Sequence, residues 1–171
     1  IASNAIERYD FNYMHGVIYN QGTLTAVGCI FTNNTGRYVK PNTWYEGSPN
    51  IYNVGDLNLS YNAFIGNVYF NGLSLDVFSN GARHISLDGN WWSSNANPLE
   101  ENKINEGNVI SNWIVLDLTP SYAPLNINDT VLIRASWKLN TGESIDGPLP
   151  DLTITMSDGE RTVDSDSFLY L

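Results

Sequence analysis

Asp56, Asp76 and Asp88 are the carboxylates best placed along this 171-residue chain to serve as a general acid and base. Polysaccharide hydrolysis would need two or three such groups on one face, within about 10 Å of each other. Asp56 and Asp88 both fall at outward positions of their strands but at different register positions, so no converging pair is expected. A lyase would need an Arg or Lys base beside a carboxylate cluster that holds calcium. Arg37 and Arg83 stand as isolated charges, and all five residues read as solvated surface. His15 and His84 lack the spaced Cys or His partners of a zinc site. The acidic run Asp158, Glu160, Asp164 and Asp166 lacks the D-x-D-x-D-G spacing of a calcium loop and reads as a solvated hairpin. Cys29, between Gly28 and Ile30-Phe31, has the surroundings of a small buried hydrophobe rather than of a nucleophile. The expectation is a non-catalytic chain with no metal site and no cofactor.

Binding is better served by the aromatic insertion from Tyr38 to Tyr52, which also holds Pro41, Trp44, Tyr45 and Pro49. Loops that project from a rigid scaffold carry function more often than the scaffold does. Exposed Tyr38, Trp44 and Tyr45 can stack on a sugar ring or anchor a protein partner; the competing reading folds the loop down as a lid on its own coil. Lys138 could in principle form an isopeptide bond with an Asn or Asp of a neighbouring strand, although no partner strand is identifiable. The sequons at Asn33, Asn58 and Asn128 would permit glycosylation of a secreted chain.

Composition narrows the class. The hydrophobic fraction of 42% is enough for a core, while the charged fraction of 15% is low and gives way to Asn, Ser, Thr and Tyr. Scattered glycine and asparagine suit many turns and short strands rather than long helices. A formal charge of −10 argues against nucleic acid, whose phosphates need clustered Lys and Arg. The chain has no disulfide framework, no signal peptide and no apolar run of membrane-spanning length. It starts and stops in mid-pattern, at Ile1 and Leu171, and is read as part of a longer protein.

The elements that would position these residues are repeats. Asn20 to Asn34, Asn53 to Asn67 and about Arg83 to Asn95 align so that Leu24, Leu57 and Ile85 share one column. Ala26, Leu59 and Leu87 share the next apolar column. Their neighbours Thr23, Thr25, Asp56, Asn58, His84 and Ser86 are polar, the period-two alternation of a strand with one buried face. The inward phase is expected to run on through Gly28, Tyr61 and Gly89 to Ile30, Ala63 and Trp91. Phe31, Phe64 and Trp92 follow at once and demand a bend. Asn34, Asn67 and Asn95 then stand where amides can stack from coil to coil. The pattern predicts a right-handed parallel β-helix over residues 1–112. It ends after Asn97-Pro98 in a polar stretch read as a capping loop or short helix.

A different signature follows. Trp113 to Leu118 is a continuous apolar strand stopped by Pro120, and Val131, Ile133, Ala135 and Trp137 alternate with Leu132, Arg134, Ser136 and Lys138. Asn140-Thr141-Gly142 marks a turn. Leu152, Ile154 and Met156 alternate next, before the hairpin signal Asp158-Gly159. Residues 113–171 are expected to form an incomplete immunoglobulin-like β-sandwich, truncated or completed by a partner strand. The fold class is all-β.

Gly89-Asn90-Trp91-Trp92-Ser93-Ser94-Asn95-Ala96-Asn97-Pro98, followed by Asn112-Trp113-Ile114-Val115-Leu116, resembles the junction in adhesin-like surface proteins of methanogenic archaea. In that family a pectin-lyase-like parallel β-helix is joined to immunoglobulin-like domains, and Asp151-Leu152-Thr153-Ile154 looks like the first of these. The resemblance implies an extracellular, cell-surface location and an adhesive role, and it supplies no catalytic motif.

The expected function is that of a cell-surface adhesin fragment. It would present loops to a surface or wall glycan, or to a protein of another cell, with no nucleic acid partner and no membrane insertion. The alternatives are a fragment of a carbohydrate-active β-helix enzyme and a passive wall spacer.

Overall fold

The computed structural model of the chain describes residues 5–8, 17–38, 49–69, 75–81, 84–105, 107–120, 132–152 and 168–170. These are all-β, with no helix among them. Eleven short strands come first: β1 (Ala5–Arg8), β2 (Ile18–Asn20), β3 (Thr23–Val27), β4 (Ile30–Thr32), β5 (Thr35–Tyr38), β6 (Ile51–Asn53), β7 (Asp56–Ser60), β8 (Ala63–Ile65), β9 (Val68–Tyr69), β10 (Val77–Ser79) and β11 (Ile85–Ser86). They form parallel sheets ordered β1-β5-β9, β10-β6-β2, β11-β7-β3 and β4-β8. Every pairing joins a strand to the one 26 to 33 residues away, so the chain visits the sheets in turn and lays each coil on the last. Three longer strands, β12 (Ile114–Pro120), β13 (Leu132–Leu139) and β14 (Phe168–Tyr170), form an antiparallel sheet.

The repeat columns coincide with the backbone register. Leu24 pairs with Leu57 and Leu57 with Ile85, while Ala26 pairs with Leu59. Leu57, Leu59 and Leu87 are buried, beside the fully buried Ile51 and Val77. Alternation forces this, since a slip of one residue would turn the whole apolar set to water. Phe31 and Phe64, the middle residues of β4 and β8, and Trp92 of the third coil stack face to face, with centroids 4.7 and 4.5 Å apart and planes within 6° and 5° of parallel. Those spacings are close to the roughly 4.8 Å between neighbouring strands, so the rings form one internal column.

The inward phase does not continue through Gly28, Tyr61 and Gly89. All three take the left-handed conformation, with φ of 62°, 56° and 70°. That corner resets the alternation and turns the following residues inward: Asn62 and Asn90 are fully buried, and half-buried Cys29 holds the same place in the first coil. The Asn62 carboxamide accepts from Cys29 N (2.9 Å), and Asn90 Oδ1 accepts from Asn62 N and Nδ2 (3.0 and 2.9 Å). The Asn90 amide donates in turn to the Leu59 and Leu87 carbonyls, each at 2.8 Å. A second ladder runs Asn20–Asn53–Ser79, with Asn20 Nδ2 on Asn53 Oδ1 (2.6 Å) and Asn53 Nδ2 on Ser79 Oγ (3.1 Å). Each ladder supplies partners to corner backbone that would otherwise be buried unpaired.

The expected third ladder forms in part. Asn34 N and Nδ2 donate to Asn67 Oδ1, but Asn95 does not join them. In the first two coils the left-handed residue lies two positions after the stacked ring, at Asn33 and Gly66; in the third it is Ser93, one position after Trp92. The chain therefore leaves the column early, and Asn95 becomes a junction residue. Its carboxamide accepts from Leu116 N (2.7 Å) and donates to Leu116 O (2.9 Å), standing in for a strand partner along β12.

The coil pattern also runs past Pro98. Ile104 is buried and bridges Val77, and Asn105 exchanges hydrogen bonds with the Ser79 backbone (2.7 and 2.9 Å). Asn112 O accepts from Gly89 N, and Ile114 N donates to Asn90 O. Strand β12 thus grows out of a shortened coil. The antiparallel sheet rests on the stack through Trp91 against Trp137, edge-on at 4.9 Å. A second contact sets Gly147 against the Tyr61 ring, where a side chain on residue 147 would collide with the phenol. Leu152 is buried, whereas Thr153 to Met156, the Asp158-Gly159 hairpin and the Asp158–Asp166 run lie outside the described residues.

Candidate functional site

The outward residues of β3, β7 and β11 form two polar rows. Thr23 pairs with Asp56 and Thr25 with Asn58, which pairs in turn with Ser86. Thr23, Asp56, Asn58 and Ser86, together with exposed His84, line an open groove of about 300 Å³. Asp56 Oδ1 is buried there without a hydrogen-bond partner. One carboxylate and one imidazole beside hydroxyls and an amide can bind a hydroxyl-rich or amine-bearing ligand.

The other carboxylates serve the frame. Asp88 Oδ1 accepts from Ser111 N (2.7 Å) and Asn112 N (3.3 Å) and so clamps the turn before β12. Asp76, expected at the surface, is instead 2% exposed. It lies where the second and third coils meet, with Asp76 Oδ1 accepting from Asn50 Nδ2 (2.7 Å) and Asn67 Nδ2 (3.0 Å). Burial raises its pKa to about 7, against the opposing pull of Lys103 and the two amide hydrogen bonds. The three carboxylates therefore do not gather on one face. Among the described residues no group of three His, Cys, Asp or Glu could hold a metal ion.

Of the expected binding residues, Tyr38 closes β5 opposite Arg8 in the register with β1. Trp44 and Tyr45 lie outside the described residues, as do His15, Arg83 and Asn128. Asn33 is exposed at a left-handed corner and Asn58 is exposed on the groove. Lys138 does find a carboxylate, since its Nζ lies 3.0 Å from Asp117 Oδ1 of the neighbouring β12. Both side chains are about a third exposed, and the Lys138 hydrogen bond holds the Asp117 carboxyl below its usual range. An ionised, hydrated pair has neither the neutral amine nor the protonated acid that amide formation requires, so this is a surface ion pair.

The sheet beside the groove carries a feature the repeat alignment passed over. Ile18, Ile51 and Val77 and then Asn20, Asn53 and Ser79 form the ladders on either side of Tyr19, Tyr52 and Phe78, which therefore project outward. Tyr19 and Tyr52 have ring centroids 5.6 Å apart and planes tilted by 48°; Tyr52 and Phe78 are 5.0 Å apart and tilted by 32°. Tyr19 is 37% exposed, and its hydroxyl accepts from Gln21 Nε2 at 2.8 Å. The signal was in the chain: Ile-Tyr-Asn occurs at 18–20 and again at 51–53, with Val-Phe-Ser at 77–79.

Set against known proteins, the chain matches no family model, no curated protein and no solved structure. No helix among the described residues is long and apolar enough to cross a membrane.

Proposed function

We propose that this chain belongs to an extracellular attachment protein, an adhesin whose parallel β-helix forms a stiff stalk and whose antiparallel strands begin an immunoglobulin-like domain. The resemblance of the Trp91-Trp92 junction to archaeal adhesin-like proteins supports this reading. The observation that carries it is the in-register stack itself. Equivalent side chains from successive coils form continuous columns on the outside as well as the inside, giving a repetitive surface among the described residues. Such a surface binds weakly per copy and gains strength from many copies on a cell. Its partners are wall or surface glycans, or a protein of another cell.

The Asp56–His84 groove favours a second reading, a fragment of a carbohydrate-active enzyme. Incubating the protein with cell-wall polysaccharides separates the two. Retention on the polymer without new reducing or unsaturated ends supports attachment; release of such ends, lost in Asp56→Asn, supports the enzyme. If Trp44→Ala and Tyr45→Ala leave retention unchanged, the insertion between β5 and β6 is not the recognition element.

A further inference from the structure

We infer that the outer aromatic column Tyr19–Tyr52–Phe78 is a binding face for an uncharged, hydroxyl-rich glycan chain. The inference rests on the attachment reading and names both the face and the ligand class. A solvated strand position needs no aromatic ring, and the next sheet fills its outward rows with Thr23, Thr25, Asn58 and Ser86. Three successive aromatics on one outer column, Tyr19 exposed and Tyr52 and Phe78 half-buried, form a partly exposed apolar stripe, the kind of surface feature that marks interaction sites.

Ring geometry separates this column from a purely structural stack. The internal rings are parallel to within 6° and each covers the next, whereas the outer rings are tilted by 48° and 32°. Tilting uncovers part of each ring at a spacing of one coil. A pyranose has an apolar face of C–H bonds and a rim of hydroxyls, and it can lay the first on such rings. The neighbouring corner column is Gln21–Val54–Asn80, with exposed amides at both ends to meet the hydroxyls.

Charge selects among occupants. No ionised side chain stands among Tyr19, Gln21, Tyr52, Val54, Phe78 and Asn80, while the chain as a whole carries −10. A polyanion would be repelled by that field, and so would a second copy of the chain. A neutral glycan meets no such penalty.

The test is titration of the 171-residue chain with neutral hexasaccharides of glucose, mannose, galactose and N-acetylglucosamine, and with a uronic-acid hexamer, followed by saturation-transfer NMR. At least one neutral oligomer is expected to bind, with signals from Tyr ring protons. Tyr19→Ala and Tyr52→Ala should each weaken binding by roughly three- to tenfold, and Tyr19→Phe should retain most of it. Binding of the uronate alone would overturn the inference, as would neutral binding that ignores both substitutions. Dimerisation abolished by Tyr19→Ala, in place of sugar binding, would assign the face to self-association and overturn it too. Retention on cell walls that survives Tyr19→Ala and Tyr52→Ala but fails in Trp44→Ala sinks this inference and leaves the attachment reading standing. Absence of binding to any oligomer and to cell walls sinks both.

Discussion

The coil stack carries two aromatic columns built on the same one-coil repeat, and their environments differ in every respect. Phe31, Phe64 and Trp92 point into the stack, sealed from water and parallel. Tyr19, Tyr52 and Phe78 lie in mid-strand on an outer face, tilted and partly exposed. The inner column spends its ring area on the fold, whereas the outer one leaves part of it uncovered. Repetition alone therefore does not separate a structural ladder from a recognition surface. The side of the backbone on which the column falls decides which rings water can reach.

The largest effect should come from the middle of the inner column. Phe64→Ala removes a ring sandwiched between two others, and a loss of about 5 kcal/mol is expected in urea denaturation. A loss below about 2 kcal/mol would mean that the column is not a packed core.

Asp76 tests the interior from its electrostatic side. Folding raises its pKa from 3.8 to about 7, so the folded chain keeps a proton that the unfolded chain has already released. Stability from this group is therefore highest below pH 4, falls as pH rises toward 7 and is level above that, a span of up to about 4 kcal/mol. Asp76→Asn keeps an oxygen to accept from Asn50 and Asn67 but carries no charge. It should be more stable than the parent at pH 8, by an amount that shrinks toward pH 4. Equal stability at both pH values would refute a buried, titrating carboxyl.

Asn90→Ala should cost about 3 kcal/mol, because it strands Asn62 N–H and the Leu59 and Leu87 carbonyls inside the stack. Thermal melting monitored by circular dichroism would show it. The smallest effect is expected outside: Tyr19→Ala should shift stability by less than about 1 kcal/mol. A larger loss would make the outer column structural and erase the contrast with the inner one.

The apolar columns were legible because period-two alternation leaves one way to bury Leu24, Leu57 and Ile85 together. Phe31, Phe64 and Trp92 were legible as an aligned aromatic column, but the bend expected just before them lies three residues earlier, at Gly28, Tyr61 and Gly89. The Asn62–Asn90 ladder was not legible, since finding it requires knowing that Tyr61, a non-glycine, takes φ of 56° and resets the phase. Asn95 was misassigned for a related reason. It keeps its spacing from Trp92, but the left-handed turn moves one residue earlier, to Ser93, and carries it out of the column. Asp76 looked like surface because nothing local marks a carboxylate whose two partners come from Asn50 and Asn67. The outer tyrosines were missed although Ile-Tyr-Asn is repeated, because their strand lies just before the stretch in which the repeats align.

By itself the amino-acid order determined that the described residues are all-β, where the repeated strands lie and that the apolar side chains of β3, β7 and β11 share columns, since short-range alternation settles these. Only the tertiary structure decided which corner residues turn inward, that Asp76 is buried, that Asn95 serves β12 and that Tyr19, Tyr52 and Phe78 face water. Each of these depends on the backbone conformation at a corner or on atoms that another coil brings near. Neither is encoded in the spacing of residues along one strand.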